Sequence, residues 1–248
     1  MVQNILTALR MSNIYIASYN RFNCVRTFDY LGMGNIVVPE SQADDYRKHY
    51  GKAVMVIPDS KDGSVSKKRN AILELIKEQQ PDGYGWIIDD DFTGLRRKKE
   101  NIKLEAENSL DIMERTMIMA KDMGAYYGGF DYSADTMKLK DMSPFSVNKI
   151  IFGITLVNAN DDLKYDERLR INEDVDFYLQ KLNLHRRLIK DNQYCAEFYG
   201  EDGGADSIIK YTKVDQRYYA TMINNKWGYK AMEWKKTSFR FNTPIKGI

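Results

Sequence analysis

The sequence predicts one α/β domain with a mostly parallel central sheet and helices on both faces. Three observations predict it. Short apolar, β-branched runs alternate with helix-length amphipathic stretches through the first hundred residues. A polar cluster follows the C-terminal end of each of these runs, where open α/β sheets bind ligands. The chain's 248 residues, 43% apolar and 29% charged, also supply a core of that size.

In order, Ile14-Tyr15-Ile16-Ala17 is the first strand, stopped by Ser18-Tyr19-Asn20-Arg21. A helix is expected from Asn23 to Leu31, closed by Gly32 and Gly34. Ile36-Val37-Val38 is the second strand, halted at Pro39-Glu40, with Ser41 as the cap of a helix that runs to Gly51. Ala53 to Ile57 is the third strand, stopped by Pro58-Asp59. The loop Ser60–Ser66 then precedes a helix over Lys67–Gln79, whose Ile72, Leu73, Leu75 and Ile76 fall at helical spacing. Trp86 to Ile88 is a fourth strand. Farther on, a Met-rich helix is expected over Ala106–Met123, a strand over Gly124–Phe130 and another over Lys149–Val157. A helix over Val175–Leu182, a strand over Tyr194–Tyr199 and a loop with Gly200, Gly203 and Gly204 lead to an aromatic, basic C-terminal segment.

Composition narrows the function. A net charge of +2 gives no global polyanion signature, although basic residues cluster at Lys67-Lys68-Arg69, Arg96 to Lys99, Arg186-Arg187 and Lys226 to Lys236. Two cysteines, Cys24 and Cys195, offer neither a disulfide framework nor a zinc pattern, so a reducing, cytoplasmic compartment is expected. No apolar run reaches the length of a membrane span, and no signal-peptide core opens the chain. Met11-Ser12-Asn13 reads as a natural start, leaving residues 1–10 as a short extension.

The organising stretch is Trp86-Ile87-Ile88-Asp89-Asp90-Asp91. Three adjacent carboxylates repel one another and cannot be buried unpaired. A buried strand that ends at Asp89 would deliver them to a cleft, where a divalent cation offsets their charge. Residues i and i+2 of an extended segment share a face, so Asp89 and Asp91 can meet one ion while Asp90 points elsewhere. Hard oxygen ligands suit magnesium, manganese or calcium. A solvated acidic turn is the alternative. A second acidic cluster, Glu173-Asp174-x-Asp176, opens a helix, where acids can also serve as caps.

Ser18-Tyr19-Asn20-Arg21, the Val38-Pro39-Glu40-Ser41-Gln42-Ala43 segment, Lys68-Arg69-Asn70, Asp89-Asp90-Asp91 and Glu173-Asp174 occur in this order. Together they resemble the GT-A-fold glycosyltransferases over roughly residues 13 to 180. The likeness is closest to the phage-type TET-associated glycosyltransferases, which are thought to attach sugars to hydroxymethylated pyrimidines in DNA. The resemblance implies one GT-A-like domain over residues 1–248, with a nucleotide-sugar half at 13–105 and an acceptor half at 106–248. It implies a UDP-sugar donor and a manganese or magnesium ion on Asp89 and Asp91. Ser18, Tyr19, Asn20 and Arg21 would line the uracil and ribose pocket, with Tyr19 stacking. Glu40 and Asp59 would offer hydrogen bonds to base or ribose, and Asn70 and Asp90 complete the donor set. Lys68 and Arg69 would meet the phosphates, a solvated Lys68 being the alternative.

Asp174 is the expected general base, with Glu173 as its substitute; whether transfer inverts or retains stays open. The family's late histidine ligand has no counterpart, since His49 and His185 are the only histidines and both read as structural or exposed. For acceptor DNA, Arg96, Arg97, Lys98 and Lys99 are expected near the mouth. Trp227 and Lys230, with Tyr229, Trp234, Lys235 and Lys236, are candidates to stack on and pair with nucleotides, or to pack in the core.

Three other readings stand beside this one. The same fold could act on a protein, glycan or small-molecule acceptor. A nucleotidyltransferase is disfavoured, because no glycine-rich triphosphate loop follows the first strand. A non-catalytic DNA- or nucleotide-binding module on a relic fold is the third. If phage-encoded, the protein would work in the host cytoplasm.

Overall fold

The structure, a computed structural model, describes residues 13–132, 143–199, 212–235, 239–243 and 245. The expected N-terminal extension, the loop with Gly200, Gly203 and Gly204, and Lys236 lie outside the described residues.

Four parallel strands build the first half: β1 (Ile14–Ala17), β2 (Asn35–Pro39), β3 (Val54–Ile57) and β4 (Tyr84–Asp89), arranged β3-β2-β1-β4. Alternation assigns their side chains to two cores. Ile14, Ile16, Ile36, Val38, Trp86 and Ile88 face one, while Tyr15, Val37 and Ile87 face the other. The first core is covered by α1 (Arg26–Leu31), α2 (Ala43–Tyr50) and α4 (Ala106–Asp122). The second is covered by α3 (Val65–Gln79), α5 (Glu173–His185) and α6 (Lys213–Trp227).

The sheet continues from β4 through β9 (Ile154–Asn158), β7 (Tyr127–Asp131), β10 (Ile189–Phe198), β5 (Phe92–Arg97) and β6 (Ile102–Lys103), with β8 (Phe145–Ser146) on β10. This half is mixed: β7 and β10 are parallel, whereas β9 and β5 run against their neighbours. A small hairpin, β11 (Met232–Trp234) and β12 (Phe239–Phe241), stands apart from it. β4 and β5 are joined by only Asp90 and Asp91, yet three strands lie between them in the sheet. The sheet must therefore curl until β5 begins beside the end of β4. The hydrogen bond from the Tyr199 N–H to the Asp91 carbonyl, at 2.8 Å, closes that junction.

Several boundaries differ from the sequence reading. The first helix begins at Arg26 rather than Asn23, because the Val25 N–H is taken by the Tyr50 hydroxyl and Cys24 turns back onto the Arg21 carbonyl. Ser41 does not cap α2; its hydroxyl donates to Asp59 from a 3₁₀ turn over Glu40–Gln42. α3 starts at Val65, two residues early, under a Ser64 cap that accepts from the Lys67 N–H. The strand expected over Lys149–Val157 begins only at Ile154, since Gly153 adopts φ +70°. α5 extends from Glu173 to His185, and β10 starts at Ile189 rather than Tyr194.

Candidate active site

β1 is flanked by β2 on one side and by β4 on the other, so successive connections leave it in opposite directions. At this switch point the C-terminal ends of the two strands part and leave a crevice. A cavity of about 880 Å³ opens there. β1 contributes Ser18, Tyr19 and Arg21, and β4 contributes Asp89, Asp90 and Asp91. The start of α3 brings Ser64, Lys67, Lys68 and Arg69, and the segment entering α5 brings Arg170, Asn172, Glu173 and Asp174. Tyr132, Phe152 and Gly153 form the remaining side.

The three aspartates have three environments. Asp90 turns away from the cavity's centre, accepting from Ser18 Oγ at 2.7 Å and from the Arg21 guanidinium at 2.5 Å. Burial pushes its carboxyl up, opposed by Arg21. Asp89 shares the face of Ile87, which is the face covered by α3. Its Oδ1 therefore meets Arg69 Nη2 at 2.8 Å. No described side chain pairs with Asp91. Burial first, then the charges of Asp89 and Asp90, push its carboxyl up to about 6.

Asp91 and the second oxygen of Asp89 form a hard-oxygen donor pair whose charge Arg69 and Arg21 offset only in part, a composition that fits a divalent cation. No cluster of three or more candidate ligand side chains occurs among the described residues. Substrate oxygens or water would have to supply the other coordination positions.

Arg69 joins the two acidic motifs. Its Nη1 donates to Glu173 Oε1 at 2.7 Å, while Nη2 holds Asp89. Burial, and then the Asp174 charge, push the Glu173 carboxyl up against the pull of Arg69. Burial also raises Asp174, which lines the cavity. Asp174 Oδ1 accepts from the Val175 N–H at 2.8 Å. Asp176, one turn in, is fully buried and satisfied by Lys226 and the Trp227 indole.

The geometry reassigns several expected residues. Arg69 is committed to two carboxylates and is no free phosphate ligand. Lys68 is buried, with its ammonium on the Ser18 carbonyl and 3.1 Å from Asp62. Lys67 is the α3 cation without a partner among the described residues, and it lines the cavity. Asn70 clamps the segment before α5 through the backbone of Tyr165 and the Glu167 carboxylate. Asn20, Glu40 and Asp59 are outside the cavity lining. Asn20 pairs with Gln42, and Asp59 with Ser41.

The basic run after the acidic triplet is also displaced. β5 runs antiparallel to β10 and carries Arg96, Arg97, Lys98 and Lys99 alongside the end of β7, outside the cavity lining. Arg96 pairs with Glu197, and Lys98 is 2% exposed with its ammonium on Asp131. Arg97 and Lys99 remain exposed. Trp227 packs against the second core and donates to Asp176, so it is not a free stacking surface; Lys230 is exposed. Neither histidine lines the cavity: His49 lies against Phe22 and Tyr50, and His185 against Asp161 and Tyr126. Sequence reasoning missed Tyr132, Phe152 and Asn172. Asn172 alone carries a backbone signal, φ +60° at the entry to α5.

The largely parallel sheet, its covering helices and the cavity at its switch point are GT-A-like in fold. The model of the TET-Associated Glycosyltransferase family matches residues 12–197, and the chain belongs to that family. Among solved structures, Staphylococcus aureus TarS superposes with a TM-score of 0.53 at 11% identity, covering 86% of this chain and 39% of that one. S. aureus TarS 1–349 in complex with UDP gives a TM-score of 0.49 at 12% identity, over 87% and 71%. TarS 1–349 alone gives 0.48 at 12% identity, over 73% of this chain; the match spans 59% of that fragment. At these identities the likeness is one of fold. No curated protein sequence matches the chain. No described helix is long and apolar enough to cross a membrane.

Proposed function

We propose that this glycosyltransferase moves a sugar from a UDP-sugar to the hydroxymethyl group of a pyrimidine in DNA. The observation that carries the reading is the gathering of Asp89, Asp91 and Asp174 in one cavity of about 880 Å³, a volume suited to a nucleotide-sugar. The family assignment supports the acceptor.

Tyr19, Ser18 and Arg21 would hold the nucleoside, with Arg21 fixed by Asp90. Lys67 and the free N–H groups at the start of α3 would face the diphosphate. Asp89 and Asp91 would hold a manganese or magnesium ion, which when bound neutralises charge on the departing diphosphate. Asp174, whose raised carboxyl binds protons more strongly than an exposed one, would take the proton of the acceptor hydroxyl. The acceptor oxygen then bonds to the anomeric carbon as the bond to the diphosphate oxygen breaks and UDP leaves. Arg69 positions Asp89 and Glu173 across the cavity.

The test is mass spectrometry of nucleosides from hydroxymethylcytosine DNA incubated with the protein, manganese and a panel of UDP-sugars. A pentose or hexose increment, lost in Asp91→Ala, is expected. Release of UDP without any DNA product would overturn the DNA acceptor and favour a protein, glycan or small-molecule acceptor. Neither product nor release would favour a non-catalytic binding module.

A further inference from the structure

We infer that Tyr132 is the acceptor-binding residue on which the target pyrimidine stacks, an inference that rests on the DNA-acceptor reading above. Tyr132 follows β7, lines the cavity and is 58% exposed. Its ring is nevertheless held. It stacks on Phe198 with centroids 5.5 Å apart and planes 25° apart, and it meets Phe152 edge-on at 6.4 Å.

Both supporting rings are anchored. Phe198 packs against the first core, touches Phe92 edge-on, and lies over Gly153, where a Cβ would come within 2.5 Å of the ring. Phe152 packs against the second core. Tyr132 is therefore an exposed ring with one face backed and its orientation fixed, an arrangement that binds a planar ligand at low entropic cost.

Topology puts this ring beside the acids. β7 and β10 end, and β9 and β5 begin, at the edge where β4 delivers Asp89 to Asp91. Tyr199, an exposed ring after β10, already carries the Arg26 guanidinium 3.8 Å above it. The chemistry asks for such a surface. A hydroxymethyl group on a base stacked in its strand cannot reach acids that line a cavity, so the base must leave its stack. An aromatic face restores the lost stacking whatever the neighbouring sequence.

The experiment measures steady-state transfer by the whole chain to a single-stranded oligonucleotide containing hydroxymethylcytosine. Tyr132→Leu is expected to raise the oligonucleotide KM about 10- to 100-fold, with a much smaller change in kcat. Tyr132→Phe and Tyr132→Trp keep the ring and should stay close to wild type. A 2-aminopurine at the target position should be quenched on binding to the wild type and not to Tyr132→Leu. Wild-type transfer to DNA with an unaltered KM in Tyr132→Leu would overturn the stacking role and leave the acceptor reading standing. An equal loss in the Leu, Phe and Trp variants would also overturn it, because it would assign Tyr132 a packing role. Wild-type protein that leaves DNA unmodified overturns both.

Discussion

Arg69 ties together carboxylates that lie far apart in the sequence. Its planar fork reaches Asp89 at 2.8 Å and Glu173 at 2.7 Å, and its side chain is 9% exposed. Removing it strands two acids, one of them buried. Arg69→Ala is therefore expected to cost roughly 3–5 kcal/mol in urea denaturation. Arg69→Lys should recover little, since a single ammonium cannot bridge both partners in that geometry. Asp91 behaves differently because no described side chain pairs with it and Arg21 offsets its charge only in part. Its carboxyl is pushed up to about 6, so the fold disfavours the ionised form. That cost grows as pH rises from the unfolded carboxylate range through about 6, and it is absent at lower pH. Asp91→Asn should accordingly be more stable than wild type at pH 8, by about 1 kcal/mol after solvent screening, and equal to it near pH 4. Thermal melts of the two proteins across that range, without added metal, check the sign.

At the level of elements, the β7–β9 contact depends on a missing side chain. Gly129 has φ +152°, and a Cβ there would lie 2.5 Å from the Ile154 carbonyl oxygen. Gly129→Ala must push two backbones apart and should cost more than about 2 kcal/mol. Gly124 has φ +61° with nothing within 4 Å, so Gly124→Ala should cost only about 1 kcal/mol. Chemical denaturation of the two variants distinguishes steric clash from backbone strain. β10 shows why one strand escaped the sequence pattern. Its first half holds Lys190, Asp191 and Asn192, all buried, where an apolar run would be expected. Lys190 is held by Asp131 and the Ile150 carbonyl, and the Asn192 amide nitrogen donates to the Ser143 carbonyl and Ser146 Oγ. Buried polar groups held by tertiary partners, even where single oxygens of Asp191 and Asn192 lack a hydrogen bond among the described residues, leave no periodicity to read.

For the whole molecule, the curled sheet closes one cavity between its parallel and mixed halves, and both halves line it. A donor bridging those halves should stabilise the fold as a unit. UDP with manganese at a hundred times its dissociation constant is expected to add about 2.7 kcal/mol of apparent stability. In Asp89→Ala, Asp91→Ala the manganese-dependent part should vanish. A thermal shift that ignores both metal and substitution would remove the cation from these two carboxylates.

By itself the sequence determined the parallel half, because each strand there alternates between two apolar cores and each ends in a polar stop. It also determined the acidic triplet at the end of β4 and the acids that open α5, since adjacent carboxylates are tolerable only at a cleft or a helix start. Tertiary structure decided which polar residues meet. Arg69 and Lys68 are sequence neighbours of one charge, yet one bridges two acidic motifs and the other is buried on Asp62 and the Ser18 carbonyl. It also carried Arg96 to Lys99 away from the cavity and brought Tyr132 to it. Strand direction in the mixed half sets both outcomes, and direction depends on pairing between segments far apart in the sequence, which no local pattern encodes.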